Sequence, residues 1–298
     1  MKLFTYHIDG SLHTGVRTDA GLLSLSATAA NMPGSSVEVN MMDIVAGGQA
    51  ALENVSTFVN KAIQDDKAVF LSEAEVVWGP CIPQPHKIIC VGLNYRRHAD
   101  ETNAPYPETP ILFNKFDNTL AGHLEDIPVP TVTEKLDYEV ELTIVIGKNT
   151  KNVSEEEALD HVFGYCAAND LSARDLQMKT PQWLLGKTCD KFSPIGPDVV
   201  TADEVGNPQK LALKTIVNGE ERQNSNTSDM IFSCKEIVSY ISKHMTLVPG
   251  DIILTGTPEG VVLGSPEDEQ VYLKPGDEVT VSIEKLGSLT NTFVAETE

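Results

Sequence analysis

DYEVELTIVI, residues 137–146, is the stretch on which the fold turns. The two-residue period of a strand puts Glu139, Glu141 and Thr143 on one face and Tyr138, Val140, Leu142, Ile144 and Ile146 on the other. The apolar face packs inward, and two carboxylates project side by side. Like charges so close are costly in a partly buried site unless one takes a proton or a cation bridges them. The alternative is the wet face of a half-exposed strand, the usual place for glutamate.

Working outward, Gly164 to Ala168 (GYCAA) reads as a buried strand that runs straight into Asn169-Asp170, before a short helix after Ser172. Further strands are expected at Pro110–Phe113, Leu213–Val217, Asp251–Leu254 and Glu278–Ile283, and helices at Ser154–Phe163 and Asp229–His244. Upstream, Ile88-Ile89-Cys90-Val91 is a buried-strand run, followed by Gly92 and by Asn94 as cap of a short helix carrying His98 and Glu101. Strands outnumber helices and do not alternate with them, which predicts an α+β, strand-rich, mostly antiparallel architecture. From Lys2 to Leu25, alternating runs broken at Asp9-Gly10 and Ala20-Gly21 predict small antiparallel strands, and Met42–Ile63 a helix whose first turns Gly47-Gly48 weaken. Pro80, Pro83 and Pro85 hold the chain extended and set an expected boundary between a small N-terminal α/β domain, 1–82, and a larger domain, 83–298.

A chain of 298 residues, 41% hydrophobic, is long enough for a substantial core. With 43 acidic against 22 basic side chains the net charge is −21, and no Lys/Arg cluster stands out to meet a phosphate backbone, so nucleic acid is not an expected partner. An anionic small substrate would need a bound cation and a few placed basic groups to reverse that field locally. The five cysteines form no Cys-x-x-Cys pair and read as small buried hydrophobes in a reducing compartment. No segment approaches the ~20 apolar residues of a membrane span, and the N-terminus lacks a signal-peptide pattern, so the expected location is the cytoplasm.

Asp170, at the end of a core strand, is well placed to join Glu139 and Glu141 as a ligand, or else is a turn residue. Three hard oxygen donors favour Mg²⁺ or Mn²⁺, with Ca²⁺ as a substitute, over zinc. His98 and Glu101, three apart on a helix, share a face, where the carboxylate orients the imidazole for proton transfer; an ordinary surface ion pair is the alternative. Lys187 follows the apolar Trp183-Leu184-Leu185-Gly186 and either stabilises an enolate or carboxylate from a pocket wall or reaches out to water. Thr255 to Gly260 (TGTPEG), after a strand, offers N–H groups and hydroxyls to a carboxylate, or is a plain turn. There is no Gly-x-Gly-x-x-Gly, no Walker A loop, no Gly-x-Ser-x-Gly and no His-Glu-x-x-His.

Five ordered blocks, VGLNYRRHADE (91–101), LDYEVELTIVIGK (136–148), NDLSARDLQ (169–177), GKTCDKFSPIGP (186–197) and GDIILTGTPEGV (250–261), closely resemble the fumarylacetoacetate hydrolase family, as does RQNSNTSDMIF (222–232). The resemblance implies the family's mixed β-sheet roll, usually a homodimer, with Glu139, Glu141 and Asp170 as metal ligands. It implies His98 and Glu101 as catalytic dyad, Lys187 as stabiliser of negative charge, and Arg174, Gln177 and Thr257 as substrate contacts. The implied activity is metal-dependent C–C cleavage of a small anionic 2-oxo acid of acylpyruvate or fumarylacetoacetate type through an enolate-like intermediate. Alternatives are decarboxylation or tautomerisation of oxaloacetate, the diene-dioate isomerisation of aromatic catabolism, and a catalytically silent metal and 2-oxo acid binder. In FNKFDNTLAG (113–122), Phe116 stands where many members have proline, which bears on one pocket wall.

Overall fold

The computed structural model describes residues 1–297. Its main sheet has twelve strands. The principal ones are β1 (Lys2–Ile8), β2 (Ser11–Thr18), β3 (Gly21–Ser24), β4 (Ile88–Gly92), β5 (Ile111–Lys115), β6 (Val140–Ile146), β7 (Val162–Asn169), β8 (Ser193–Thr201) and, beyond the second sheet, Ile252–Leu254. Across the sheet they run β3, β2, β1, β8, β7, β6, Ile252–Leu254, β4, β5. The pairings along that path are antiparallel apart from Ile252–Leu254 beside β4. A second sheet of five holds β9 (Ala212–Val217), β10 (Glu220–Asn226), β11 (Glu278–Ile283), β12 (Gly287–Ala295) and Ile127–Val129.

The alternation in DYEVELTIVI is real, but both faces of β6 are covered. Val140, Leu142, Ile144 and Ile146 pack into one core with Leu213, Val279, Val281 and Phe293 of the second sheet. Val145 packs into another, with Ile252, Leu254 and the helix α1 (Met41–Gln64). Each such fully buried aliphatic side chain contributes about 1.5–3 kcal/mol. Glu139 and Glu141 therefore sit at the buried end of an interior strand, 5% and 2% exposed, and the wet-face alternative is excluded.

The N-terminal strands join this sheet directly, since Leu3 of β1 pairs with Val199 of β8, and Leu3, Val16 and Leu23 share a core with Val145 and Ile252. Asn40 caps α1 by accepting from the N–H groups of Met42 and Asp43, and the helix kinks at Gly48, where φ is 57° and ψ −138°. Two helices are shorter than the sequence pattern predicts. Helical turns span only Glu155–His161, because Val162 and Phe163 are taken into β7. The helix expected from Asp229 begins at Cys234, where Ser233 and Glu236 form a capping box. Asn94 is not a cap: its side-chain amide is spent on Thr255 O, Phe232 O and Phe232 N, and tyrosine precedes the helix α2 (Arg96–Glu101) without a side-chain bond.

Candidate active site

Strand pairing brings the carboxylates together. Val140 pairs with Asn169, Glu139 O accepts from Asp170 N at 2.9 Å, and Asn169 Oδ1 accepts from Glu139 N at 2.9 Å. Glu139, Glu141 and Asp170 thus each present an oxygen within 4.8 Å of the others, all buried. Three buried cations surround them. Lys187, closing the helical turn Leu184–Lys187, donates from Nζ to Glu139 Oε2 (2.9 Å) and Asp170 Oδ2 (2.8 Å). Lys115 at the end of β5 donates to Asp170 Oδ1 at 2.5 Å and to Phe192 O at 2.6 Å. Arg174, opening the turn Arg174–Gln177, donates through Nε to Asp137 Oδ2 at 2.8 Å and through Nη1 to Gln177 Oε1 at 3.0 Å. Its Nη2 forms ion pairs with Asp137 Oδ2 at 2.8 Å and Glu139 Oε1 at 2.7 Å.

Four buried carboxylates, Asp137 included, face three buried cations, and the shortfall falls on Glu141. Glu141 makes no ion pair among the described residues; Gly256 N donates to its Oε2 at 2.8 Å. Burial, then the charges of Asp170 and Glu139, push its pKa up well above the carboxylate range. Glu139 is the opposite case: burial opposes its charge, but Lys187 and Arg174 overcome that and hold its pKa down at about 2. Burial likewise works against the Lys187 ammonium, and Asp170 with Glu139 more than offset it, so its pKa is raised and it stays charged. Three hard oxygens with one negative charge in excess fit Mg²⁺ or Mn²⁺, and a cation there would remove the penalty on Glu141.

Opposite the carboxylates, His98 Nδ1 lies 2.7 Å from Glu101 Oε1, and Gly260 N donates to Glu101 Oε2 at 3.0 Å. With Nδ1–H directed at the carboxylate, Nε2 is the free basic nitrogen. Gly264 makes room for the pair, since a Cβ there would stand 2.5 Å from Glu101 Cδ. Gly256 is required twice over: its φ is +98° and a Cβ would meet Asn94 Cβ at 2.7 Å. Leu93, beside the cavity, holds φ 52°, a left-handed conformation costing leucine roughly 1–2 kcal/mol.

A cavity of about 310 Å³ is lined by His98, Glu139, Glu141, Arg174, Gln177, Lys187 and Thr257, so seven of the nine residues singled out in the sequence line one cavity. Asp170 lies behind Lys187, and Glu101 behind His98. Its apolar lining includes Val91, Ile111, and Phe113 and Trp183, whose rings meet edge-on at 5.4 Å. Phe116 does not line this cavity; it is 49% exposed and faces a separate groove, so the departure from proline leaves the pocket wall to Phe113. Sequence reasoning missed Lys115, Asp137 and Gln223. Lys115 and Asp137 carried a signal, each being a charged residue inside or abutting an otherwise apolar strand.

A mixed-sheet fold with a buried carboxylate triad facing a histidine–glutamate pair across one cavity defines a hard-cation enzyme for small anions. Residues 87–294 match the family described as Fumarylacetoacetate (FAA) hydrolase C-terminal. The chain is 41% identical over 292 residues to "Oxaloacetate tautomerase FAHD2A, mitochondrial" of Bos taurus, covering 97% of this chain and 89% of that one. It is similar in structure to a fumarylacetoacetate hydrolase from Exiguobacterium antarcticum, with TM-score 0.80, 33% identity, and 99% and 100% of the two chains covered. Maleylpyruvate hydrolase from Sphingobium sp. SYK-6, whose crystal holds manganese (II) ion and pyruvate, gives TM-score 0.80 at 28% identity with both chains covered in full. The chain belongs to the fumarylacetoacetate hydrolase family, whose members are enzymes. Among the described residues no helix is long and apolar enough to cross a membrane.

Proposed function

We propose that this enzyme interconverts the keto and enol forms of a small 2-oxo acid, oxaloacetate or a close analogue, with Mg²⁺ or Mn²⁺ held by Glu139, Glu141 and Asp170. The buried Glu141 carboxyl, which has no cation partner among the described residues and lines the same cavity as His98, carries this reading. The similarity to oxaloacetate tautomerases supports the substrate. The bound cation would supply Lewis-acid polarisation of the 2-oxo carbonyl. Arg174, Gln177 and Thr257, all on the cavity, bind and orient the substrate carboxylate. His98 Nε2 removes the proton on the carbon beside the carbonyl, and Glu101 balances the imidazolium that forms. Lys187 stays protonated and stabilises the developing enolate charge; His98 then returns its proton to the enolate oxygen.

The test is the rate at which the ultraviolet absorbance of enol-oxaloacetate relaxes with the purified protein, with Mg²⁺ or Mn²⁺ and with EDTA. Acceleration that requires the metal is expected; relaxation no faster than in buffer would sink the assignment. A second reading, hydrolytic C–C cleavage of an acylpyruvate by water activated at His98, is favoured by the apolar wall of Ile111, Phe113 and Trp183, which suits an acyl tail. Metal-dependent loss of acetylpyruvate in the same assay would select it. The edge position of β5, with Ile111 and Phe116 exposed, supports a homodimer, and four buried free cysteines support a reducing compartment such as the cytoplasm.

A further inference from the structure

We infer that Gln223 is a positioning residue: its side-chain amide turns the Thr257 hydroxyl toward the cavity and fixes the loop that joins the two halves of the site. The inference rests on the reading of that cavity as a 2-oxo acid site.

Gln223 lies on β10 of the second sheet and is 1% exposed, the last kind of place for an amide without a purpose. Its Oε1 accepts from Val140 N at 3.0 Å and from Thr215 Oγ1 at 2.7 Å. Its Nε2 donates to Thr257 Oγ1 and Pro258 O, both at 3.0 Å, and to Glu259 O at 3.3 Å. The amide cannot be turned over, because Val140 N–H needs an acceptor on one side and two carbonyls need a donor on the other. Thr257 Oγ1 must therefore accept, and its own proton is left to point elsewhere. Among the described residues Thr257 Oγ1 donates to nothing, and the residue lines the cavity. The hydroxyl is a donor aimed where an anion binds.

The same amide holds both ends of the site in register. Val140 stands between Glu139 and Glu141, so the bond to its N–H ties the second sheet to the strand carrying the carboxylates. The bonds to Pro258 and Glu259 fix a loop whose Gly256 N meets Glu141 and whose Gly260 N meets Glu101. One loop thus touches the carboxylate triad at one end and the dyad at the other, and Gln223 anchors its middle.

The test is a double-mutant cycle read by calorimetric titration of pyruvate into the Mn²⁺-loaded protein, with wild type, Gln223→Glu, Thr257→Val and the double variant. Gln223→Glu keeps the acceptor for Val140 N but faces Thr257 with an oxygen, which draws the hydroxyl proton away from the cavity. Each single variant is expected to weaken pyruvate binding about tenfold, the size of one hydrogen bond to a charged group, and the double variant about tenfold as well. A double variant weakened about a hundredfold, or a Gln223→Glu protein that binds like wild type, overturns the inference alone. Gln223→Met, which offers Thr257 no donor, gives the same cycle if the glutamate variant does not fold. A wild-type protein that binds Mn²⁺ but no pyruvate overturns both this inference and the assignment of the cavity.

Discussion

Two of the places where this acidic protein buries ionised groups differ in kind, and only one of them is a site. On the N-terminal side, Asp198 of β8 is 3% exposed and meets Arg17 Nε of β2 at 2.7 Å, while Arg17 Nη1 reaches Glu73 at 3.0 Å on the surface. One buried carboxylate has one cation, the cation is a quarter exposed, and the pair spans two strands as a clasp. Around the cavity, four buried carboxylates crowd against three cations and Glu141 is left without a partner. Burying charge is therefore not what marks function here; burying an excess of one sign beside an open volume is.

The sharpest break in that contrast is Glu141→Ala. It removes the surplus, so the triad should lose tight Mn²⁺ binding and metal-dependent turnover should fall by at least about 10²–10³-fold, the scale of losing a main electrostatic contribution. Thermal stability of the metal-free protein should change little, because the variant removes a carboxyl group whose ionisation burial, Asp170 and Glu139 oppose. Calorimetric Mn²⁺ titration, turnover and a melting curve on the same preparation check all three, and a variant that still binds Mn²⁺ like wild type would return Glu141 to a structural role.

His98→Asn tests the other side of the cavity. Turnover should drop about 10²-fold or more, as for loss of a general base, while Mn²⁺ affinity stays within about twofold because the triad is untouched. Parallel loss of metal binding would mean that dyad and triad are not separable.

Acid stability should separate Glu139 from Asp198 by sign. The Glu139 pKa is held at about 2 against an ordinary 4.5, so its ion pairs stabilise the metal-free fold fully above pH 4.5 and are lost as pH falls toward 2. Asp198 is shifted the other way: burial raises its pKa above 3.8, with Arg17 opposing, so falling pH relieves a destabilising charge. Urea unfolding between pH 3 and 5 should show Glu139→Gln flattening the acid loss and Asp198→Asn steepening it. The same slope in both would erase the distinction.

Much of this was legible beforehand. The two-residue period of DYEVELTIVI, the run of GYCAA into Asp170 and the three-residue spacing of His98 and Glu101 each report a local geometry, and local geometry is what sequence pattern encodes. What pattern does not encode is pairing across the chain. Nothing local to Lys115 says that its ammonium ends on Asp170, or that Asn94, written like a helix cap, spends its amide on Thr255 and Phe232. Nothing near Gln223, on a strand whose other residues are mostly wet, says that it reaches Val140 on another sheet. The helix expected from Asp229 failed for a local reason that was visible, the Ser233-x-x-Glu236 capping box.

The smallest expected effect is the most exacting. Asp198→Asn removes a charge that burial penalises and leaves Arg17, a quarter exposed, with Glu73, so stability at neutral pH should change by less than about 1 kcal/mol. Turnover and Mn²⁺ affinity should not change, because Asp198 does not line the cavity and its charge is already answered by its own cation. If turnover instead fell tenfold with the melting temperature only slightly lowered, the N-terminal clasp would be coupled to the cavity through β8 and β7, which lie between it and the carboxylates of β6. The main sheet would then be transmitting strain from one ionic cluster to the other, and surplus charge beside a cavity would no longer be enough to tell a site from a clasp.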